Sequence, residues 1–368
     1  MELWLVLLIA YLFEFANGWT DAPNSIATVV STRVLRPLPA VGMAAVLNLV
    51  GALSGTAVAK TIASGIVDLD LVTLNTIGAA ALAATIWALG AQYFGLPSSE
   101  SHALIAALLG AGFAAGGLNG LEWAGTSKAL IGLVTSPVGG FFLALFLMVA
   151  IFWTFSKVRP TFVRRFFGKA QIVSAAFMAY SHGLNDAQKT MGIITLAVLI
   201  NEHGGTAAGV PPEFEIPTWV IVSAAVVMGL GTSVGGWRVI RTMGLRLTKL
   251  EPVHGFAAET GAAAVITGAG VLGIPVSTTH AIGSAIMGVG ATERLSAVRW
   301  GVAGQVVLAW IFTWPSCMLM GYGLARAFRE VSPTLVLILV TVVIAAIAFL
   351  LFARHRREQT ERIALASA

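Results

Sequence analysis

Residues Asn17–Ser25 read N-G-W-T-D-A-P-N-S and interrupt an otherwise apolar stretch that runs from Leu3 to Val30. A helix over Leu3–Thr32, rising about 1.5 Å per residue, is long enough to cross a bilayer. It would carry Asp21 near its middle. Gly18 and Pro23 weaken the helical hydrogen-bond ladder, so the stretch predicts a broken helix whose freed carbonyls can face a cation. A carboxylate at membrane depth costs a few kcal/mol on insertion scales and is seldom there without a task. Structural capping is the plain alternative for Asp21, and its depth argues against that. The same grammar returns at His182–Thr190, H-G-L-N-D-A-Q-K-T, with Asp186 at 186 − 21 = 165 residues from Asp21. Interrupted apolar helices in matching positions of two halves point to a transporter's binding site.

The bulk of the chain agrees with a membrane setting. Of its 368 residues 57% are hydrophobic and only 11% charged, against about 25% charged in a soluble domain. Forty glycines suit tightly packed membrane helices. The single cysteine, Cys317, excludes an internal disulfide, and no Cys/His metal pattern is present. The N-terminal M-E-L-W-L lacks a basic n-region and reads as a retained first span. Nothing calls for a cofactor or a nucleic acid.

The net charge of +5 is explained by where the charges sit. Lys157–Lys169 holds five Lys or Arg, Arg238–Lys249 four and Arg354–Arg362 four, whereas Asn201–Pro217 holds Glu202, Glu213 and Glu215 and no Lys or Arg. The positive-inside rule predicts the first three to be cytoplasmic and the last external. The C-terminus is therefore expected in the cytoplasm of a cell whose plasma membrane the protein crosses many times.

A second motif is also duplicated. L-P-S-S-E-S-H-A-L at Leu96–Leu104 returns as I-P-V-S-T-T-H-A-I at Ile274–Ile282, and each leads into a run of small residues. Pro97 with Pro275, His102 with His280 and Pro137 with Pro315 all share one offset, 275 − 97 = 178. Three landmarks at one offset establish an internal repeat. Because the second copy starts from the opposite side, the repeats are inverted. The expected division is 1–156 for the first membrane repeat, 157–169 for a basic cytoplasmic loop, 170–330 for the second repeat, 331–353 for an extra helix and 354–368 for a basic tail. Within it, spans are expected over Leu38–Val58 and Thr73–Phe94, with an external loop at Lys60–Leu71. Pro137 should joint two helices, and Pro315 likewise. The Pro-hydroxyl-His segments should form re-entrant helical hairpins, since irregular backbone at depth is tolerated where protein or water covers it. The fold class is an all-α polytopic membrane protein with about eleven crossings plus the two hairpins.

Asp21 with Asn24, and Asp186 with Lys189, are spaced i, i+3 and share a helix face. Ser98, Ser99 and Ser101, with Ser277, Thr278 and Thr279, stand where each hairpin has a helix N-terminus, and hydroxyls, free N–H groups and a positive dipole end together cradle an anion. Two like charges about 4 Å apart repel by roughly 4 kcal/mol at an effective dielectric near 20. An oxyanion beside Asp21 and Asp186 thus requires a bound cation, a protonated acid or a basic side chain, which couples anion to cation. Thr20, Glu100, Asn185 and Glu259 are further coupling-ion candidates, although Glu259 could be a satisfied core acid. His102 and His280 read better as hairpin-packing residues than as proton shuttles. Glu14 lines the polar stretch one turn before Gly18.

These residues resemble the PiT family of inorganic phosphate transporters, in the bacterial low-affinity permease branch. The resemblance rests on Asn17–Asn24, His182–Lys189, Pro97–His102 and Pro275–His280 and covers nearly the whole chain. It implies a non-enzymatic secondary active transporter that imports inorganic phosphate by symport with a cation. Phosphate and its coupling ion would be held by Asp21, Asn24, Ser99, Ser101, Asp186, Lys189, Ser277, Thr278 and Thr279. Three departures from the family pattern matter: Thr20 for Asn, Lys189 opposite Asn24, and Glu100 within the first hairpin. A Lys can replace a bound cation and a Glu can carry a proton, so a proton is favoured over sodium. A sulfate permease of the same fold, a membrane-embedded transferase using His182 and Asp186, and a passive anion channel are the competing readings. Homo-oligomerisation is left open.

Overall fold

The computed structural model describes residues 1–208 and 214–332, with positions 334, 335, 337, 338, 341, 342, 344–346, 348, 349 and 352 beyond them. Glu213 and the basic tail at 354–368 lie outside the described residues. Twelve α-helices carry the fold: α1 (Leu3–Ser31), α2 (Pro37–Ala52), α3 (Ala57–Gly65), α4 (Leu74–Phe94), α5 (Glu100–Gly116), α6 (Trp123–Phe155), α7 (Pro160–Glu202), α8 (Thr218–Val234), α9 (Trp237–Arg241), α10 (Pro252–Val271), α11 (Thr278–Glu293) and α12 (Trp300–Glu330). There is no strand among the described residues, only an isolated antiparallel bridge between Val67 and Leu121. The described positions of 334–352 are helical.

The two halves pack in matched pairs. α5 lies on α12 as α11 lies on α6, α2 on α7 as α8 on α1, and α4 on α5 as α10 on α11. Between them α1 and α7 run antiparallel, since Glu14 meets Thr190 at one end and Thr32 meets Gln171 at the other. The core follows this division, with one apolar cluster around α1, α4 and α5 and a second around α10, α11 and α6.

Several sequence expectations change at this level. α1 is continuous from Leu3 to Ser31 with Pro23 inside it. Its weak point is covered: a Cβ on Gly236 would come within 2.8 Å of Pro23 Cγ and 3.0 Å of the Trp19 carbonyl. Gly18 serves close approach, because a Cβ there would meet the Met228 carbonyl of α8 at 2.5 Å. α7 is one helix of 43 residues. The predicted basic loop is therefore helical from Pro160 onward, as the preference of Pro for a first helical position allows. The span expected over Leu38–Val58 instead breaks after Ala52 and bends by 70° into α3, which takes in Lys60. α8 and α9 bend by 60° in the same way. α6 and α12 pass through Pro137 and Pro315 without a joint.

The hairpins are larger than the motifs suggest. α4 is the descending arm of the first and α5 its return, and α10 and α11 form the second. Each arm ends on a left-handed glycine, Gly95 at φ 68° and Gly273 at φ 67°, a conformation that costs other residues about 1 kcal/mol or more. The Gly95 carbonyl accepts from Thr242 Oγ1 at 2.9 Å beyond α9, and the Gly273 carbonyl from Thr61 Oγ1 at 2.8 Å in α3. The bent pairs thus latch the hairpin tips. Five helices are long and apolar enough to span a membrane alone, or seven counting the bent pairs, among the described residues. Joining α2 with α3 and α8 with α9 leaves 12 − 2 = 10 helical segments up to Glu330 among the described residues.

Candidate substrate and ion site

The site lies where α1, α7 and the first turns of α5 and α11 converge. Asp21, His182, Asp186 and Lys189 are all at most 3% exposed. His182 Nε2 lies 3.1 Å from Asp186 Oδ2 and 3.9 Å from Asp21 Oδ2. The three side chains offer ligand atoms within 4.8 Å of one another, a spacing that suits a small cation. Lys189 donates to both Asp186 Oδ1 and Ser101 Oγ, tying α7 to the first hairpin. From the second hairpin Thr278 Oγ1 donates to Asp186 Oδ2 at 2.9 Å and Thr279 Oγ1 to Asp21 Oδ1 at 3.1 Å. Asn24 Nδ2 donates to both threonines, at 3.2 and 2.9 Å. Thr20 Oγ1 of α1 donates to Glu100 Oε1 of the first hairpin at 2.8 Å. Asp21, Asn24, Ser101, Asp186, Lys189, Thr278 and Thr279 therefore form one cluster, with Thr20 and Glu100 on its edge.

Other predicted residues stand apart. Ser99 and Ser277 are N-caps whose Oγ atoms accept from the backbone N–H of His102 and His280, at 3.2 and 3.0 Å. They organise the hairpin helices from one turn behind the cluster. The side chain of Asn185 has no hydrogen-bond partner among the described residues, and its Nδ2 lies toward Gly270 of α10. Glu259 belongs to a separate buried cluster, accepting from Thr28 Oγ1, Gln171 Nε2 at 3.1 Å and Ser174 Oγ. Glu14 pairs with Thr190 of α7. Glu14, Asp21 and Thr28 are spaced by seven residues, two helical turns or about 10 Å. Three buried acid stations thus follow α1: Glu14, the central cluster, and Glu259 through Thr28. His102 and His280 pack against each other with ring centroids 4.4 Å apart, and His280 lies on Trp310 at 4.0 Å. Trp310 Nε1 donates to the Pro97 carbonyl at 2.9 Å, so the histidines sit in the seam that joins the hairpins.

Sequence reasoning left His182 out of the site, although it stands at i−4 from Asp186 and opens the second motif. That spacing was the available signal. Its partner Asn48, whose Oδ1 lies 3.0 Å from His182 Nδ1, gave none, since it comes from α2 and has no motif around it.

Apolar helices paired in two matched sets, with hairpin tips delivering hydroxyls to desolvated acids and a lysine, define a multi-pass membrane transporter. Residues 17–321 match the phosphate transporter family, and the chain belongs to that family. It is 48% identical over 316 residues, 86% of this chain and 93% of the relative, to a protein of Rhizobium meliloti (strain 1021) named a probable low-affinity inorganic phosphate transporter. A Bacillus subtilis (strain 168) protein with the same name is 44% identical over 319 residues, 86% of this chain and 94% of its own. Among solved structures, one titled the sodium-dependent phosphate transporter matches with a TM-score of 0.80 and 25% identity, covering 89% of this chain and 99% of that one.

Proposed function

We propose that this protein imports inorganic phosphate by symport, and that the coupling ion is the proton. Lys189 carries the reading. Its ammonium group lies between Asp186 and Ser101, where a fixed positive charge offsets one carboxylate without a bound metal ion. Thr278, Thr279 and Asn24 supply donors to a phosphate oxyanion, and the bent helices that latch the hairpin tips let each hairpin open toward one side in turn. Asp21 and Glu100 are both buried and belong to neighbouring parts of the site, Asp21 next in sequence to Thr20, which donates to Glu100. Asp21 Oδ2 and Glu100 Oε2 are each buried without a hydrogen-bond partner among the described residues, which leaves both free to take a proton. This pair is the proposed proton carrier, with Glu14 and Glu259 as stations on either side of it.

The solved relative is titled sodium-dependent, and the proton reading for this chain departs from that title. Nothing in the relatives favours sulfate. We read 1–156 and 170–330 as the two inverted repeats, with the Arg33 and Arg164 end of the bundle in the cytoplasm. The test is uptake of labelled phosphate into proteoliposomes under an imposed pH or sodium gradient, with sulfate as competitor. Uptake driven by the pH gradient and resistant to sulfate is expected. Uptake that follows only the sodium gradient would overturn the proton reading.

A further inference from the structure

At the end of the bundle away from Glu14, the C-terminus of α1 and the N-termini of α7 and α10 enclose a cavity of about 500 Å³. Its walls include Thr32, Arg33, Thr161, Arg164, Arg165 and Pro252. No part of it belongs to the central cluster. Three exposed arginines thus line one open concave space, and among the described residues none of them makes an ion pair or a side-chain hydrogen bond. The nearest carboxylate in sequence to the Pro252 wall, Glu251, is engaged in a capping box at the start of α10.

Arg33 also closes the end of α1. It has φ 60° and is the one non-glycine residue in the left-handed region among those described. It is the left-handed residue of a Schellman helix end, in which the Arg33 and Val34 N–H groups donate to the Val30 and Val29 carbonyls, both at 3.1 Å. Glycine would end α1 without strain, but it would remove the guanidinium.

The wall also leads inward. Thr32 Oγ1 donates to Gln171 Oε1 at 2.8 Å, and Gln171 Nε2 donates to Glu259 Oε1 at 3.1 Å. The cavity is therefore joined by two hydrogen bonds to Glu259 of α10, the buried acid that also accepts from Thr28, two turns of α1 from Asp21.

We propose that this cavity is a second, peripheral binding site for a phosphate-type oxyanion. Planar guanidinium groups bind phosphate oxygens in bidentate pairs, and the hydroxyl of Thr161 completes the donor set. Two sources share this chemistry. One is inorganic phosphate on its way between the central site and the basic face. The other is the headgroup of an anionic lipid, because Phe162 and Phe166, 54% and 47% exposed beside the arginines, would set the start of α7 at the membrane surface. Only the first source rests on the transport reading given above.

The test compares the full-length protein with R164Q/R165Q and with R33N, an asparagine being tolerated at positive φ. Each is reconstituted in phosphatidylcholine alone or with phosphatidylglycerol. Labelled-phosphate flux is measured against phosphate concentration on each side, and bound lipid is counted by native mass spectrometry. If free phosphate is the ligand, both variants raise the half-saturating concentration on the cavity side at least threefold in phosphatidylcholine alone, with the opposite side unchanged. If the headgroup is the ligand, fluxes match in phosphatidylcholine and the variants retain at least threefold less phosphatidylglycerol than the parent. Variants equal to the parent in both fluxes and lipid retention would overturn the site. A parent that moves no phosphate under any gradient refutes the transport reading, while the lipid count still decides the cavity.

Discussion

Replacing Lys189 by asparagine tests the proposed coupling at its source. The substitution removes the buried ammonium group and leaves Asp186 with His182 at 3.1 Å and Thr278 at 2.9 Å as its remaining partners. Opposite charges about 4 Å apart attract by roughly 4 kcal/mol at an effective dielectric near 20, and breaking a buried pair commonly costs about 3–5 kcal/mol. His182 and Thr278 recover part of this, so a stability loss of about 2–3 kcal/mol is expected, read as a lowered melting temperature of the purified protein. Phosphate binding suffers as well. The anion then faces an unbalanced Asp186, and a repulsion of about 2 kcal/mol corresponds to roughly a thirtyfold weaker half-saturation. A cation of suitable size can replace the ammonium between Asp186 and Ser101, so sodium should restore both melting temperature and uptake in the variant, but leave the parent unaffected. The assay is labelled-phosphate uptake into proteoliposomes at fixed pH, with sodium or choline as the bulk cation. A variant matching the parent in rate, pH profile and sodium response would show that Lys189 is a bystander, and the proton reading would lose its main support.

Three further outcomes follow from other parts of the molecule. E100Q should keep phosphate exchange between equal pools but lose most of its acceleration by an inward pH gradient, because the buried carboxyl that would take the proton is gone; unchanged acceleration would remove Glu100 from the proton path. E259Q places an amide among three donors, Thr28, Ser174 and Gln171, so one donor is left without an acceptor. A destabilisation of about 1–3 kcal/mol is expected, measured by thermal unfolding, and a wild-type melting temperature would contradict the cluster. Cysteine-accessibility tags after Lys157 and near Gly204 should report opposite sides of the membrane, with the C-terminal tag on the side of Lys157; a shared side for the first two would undo the inverted arrangement.

Covalent spacing alone was enough to establish the repeat and the membrane setting. The offset of 178 that joins Pro97 to Pro275 and His102 to His280 is one-dimensional information, and so is the apolar run around Asp21. The hydroxyls of the hairpins, the i, i+3 pairing of Asp186 with Lys189 and the family resemblance were readable for the same reason: each lies within a few residues of its motif. Whether a weak point becomes a break was decided elsewhere in the chain. Gly18 and Pro23 lie within an intact α1 because α8 and Gly236 close over them, more than 200 residues away in sequence. The division of hydroxyls was likewise tertiary. Ser99 faces its own backbone as a cap, whereas Ser101, two positions on, faces Lys189 of α7. Glu259 found its donors on α1 and α7 at separations of 231, 88 and 85 residues, and no local pattern announces such partners. Hydrophobic periodicity and breakers report what a segment does alone; desolvation, close helix contact and the pairing of buried charges depend on which distant surfaces meet.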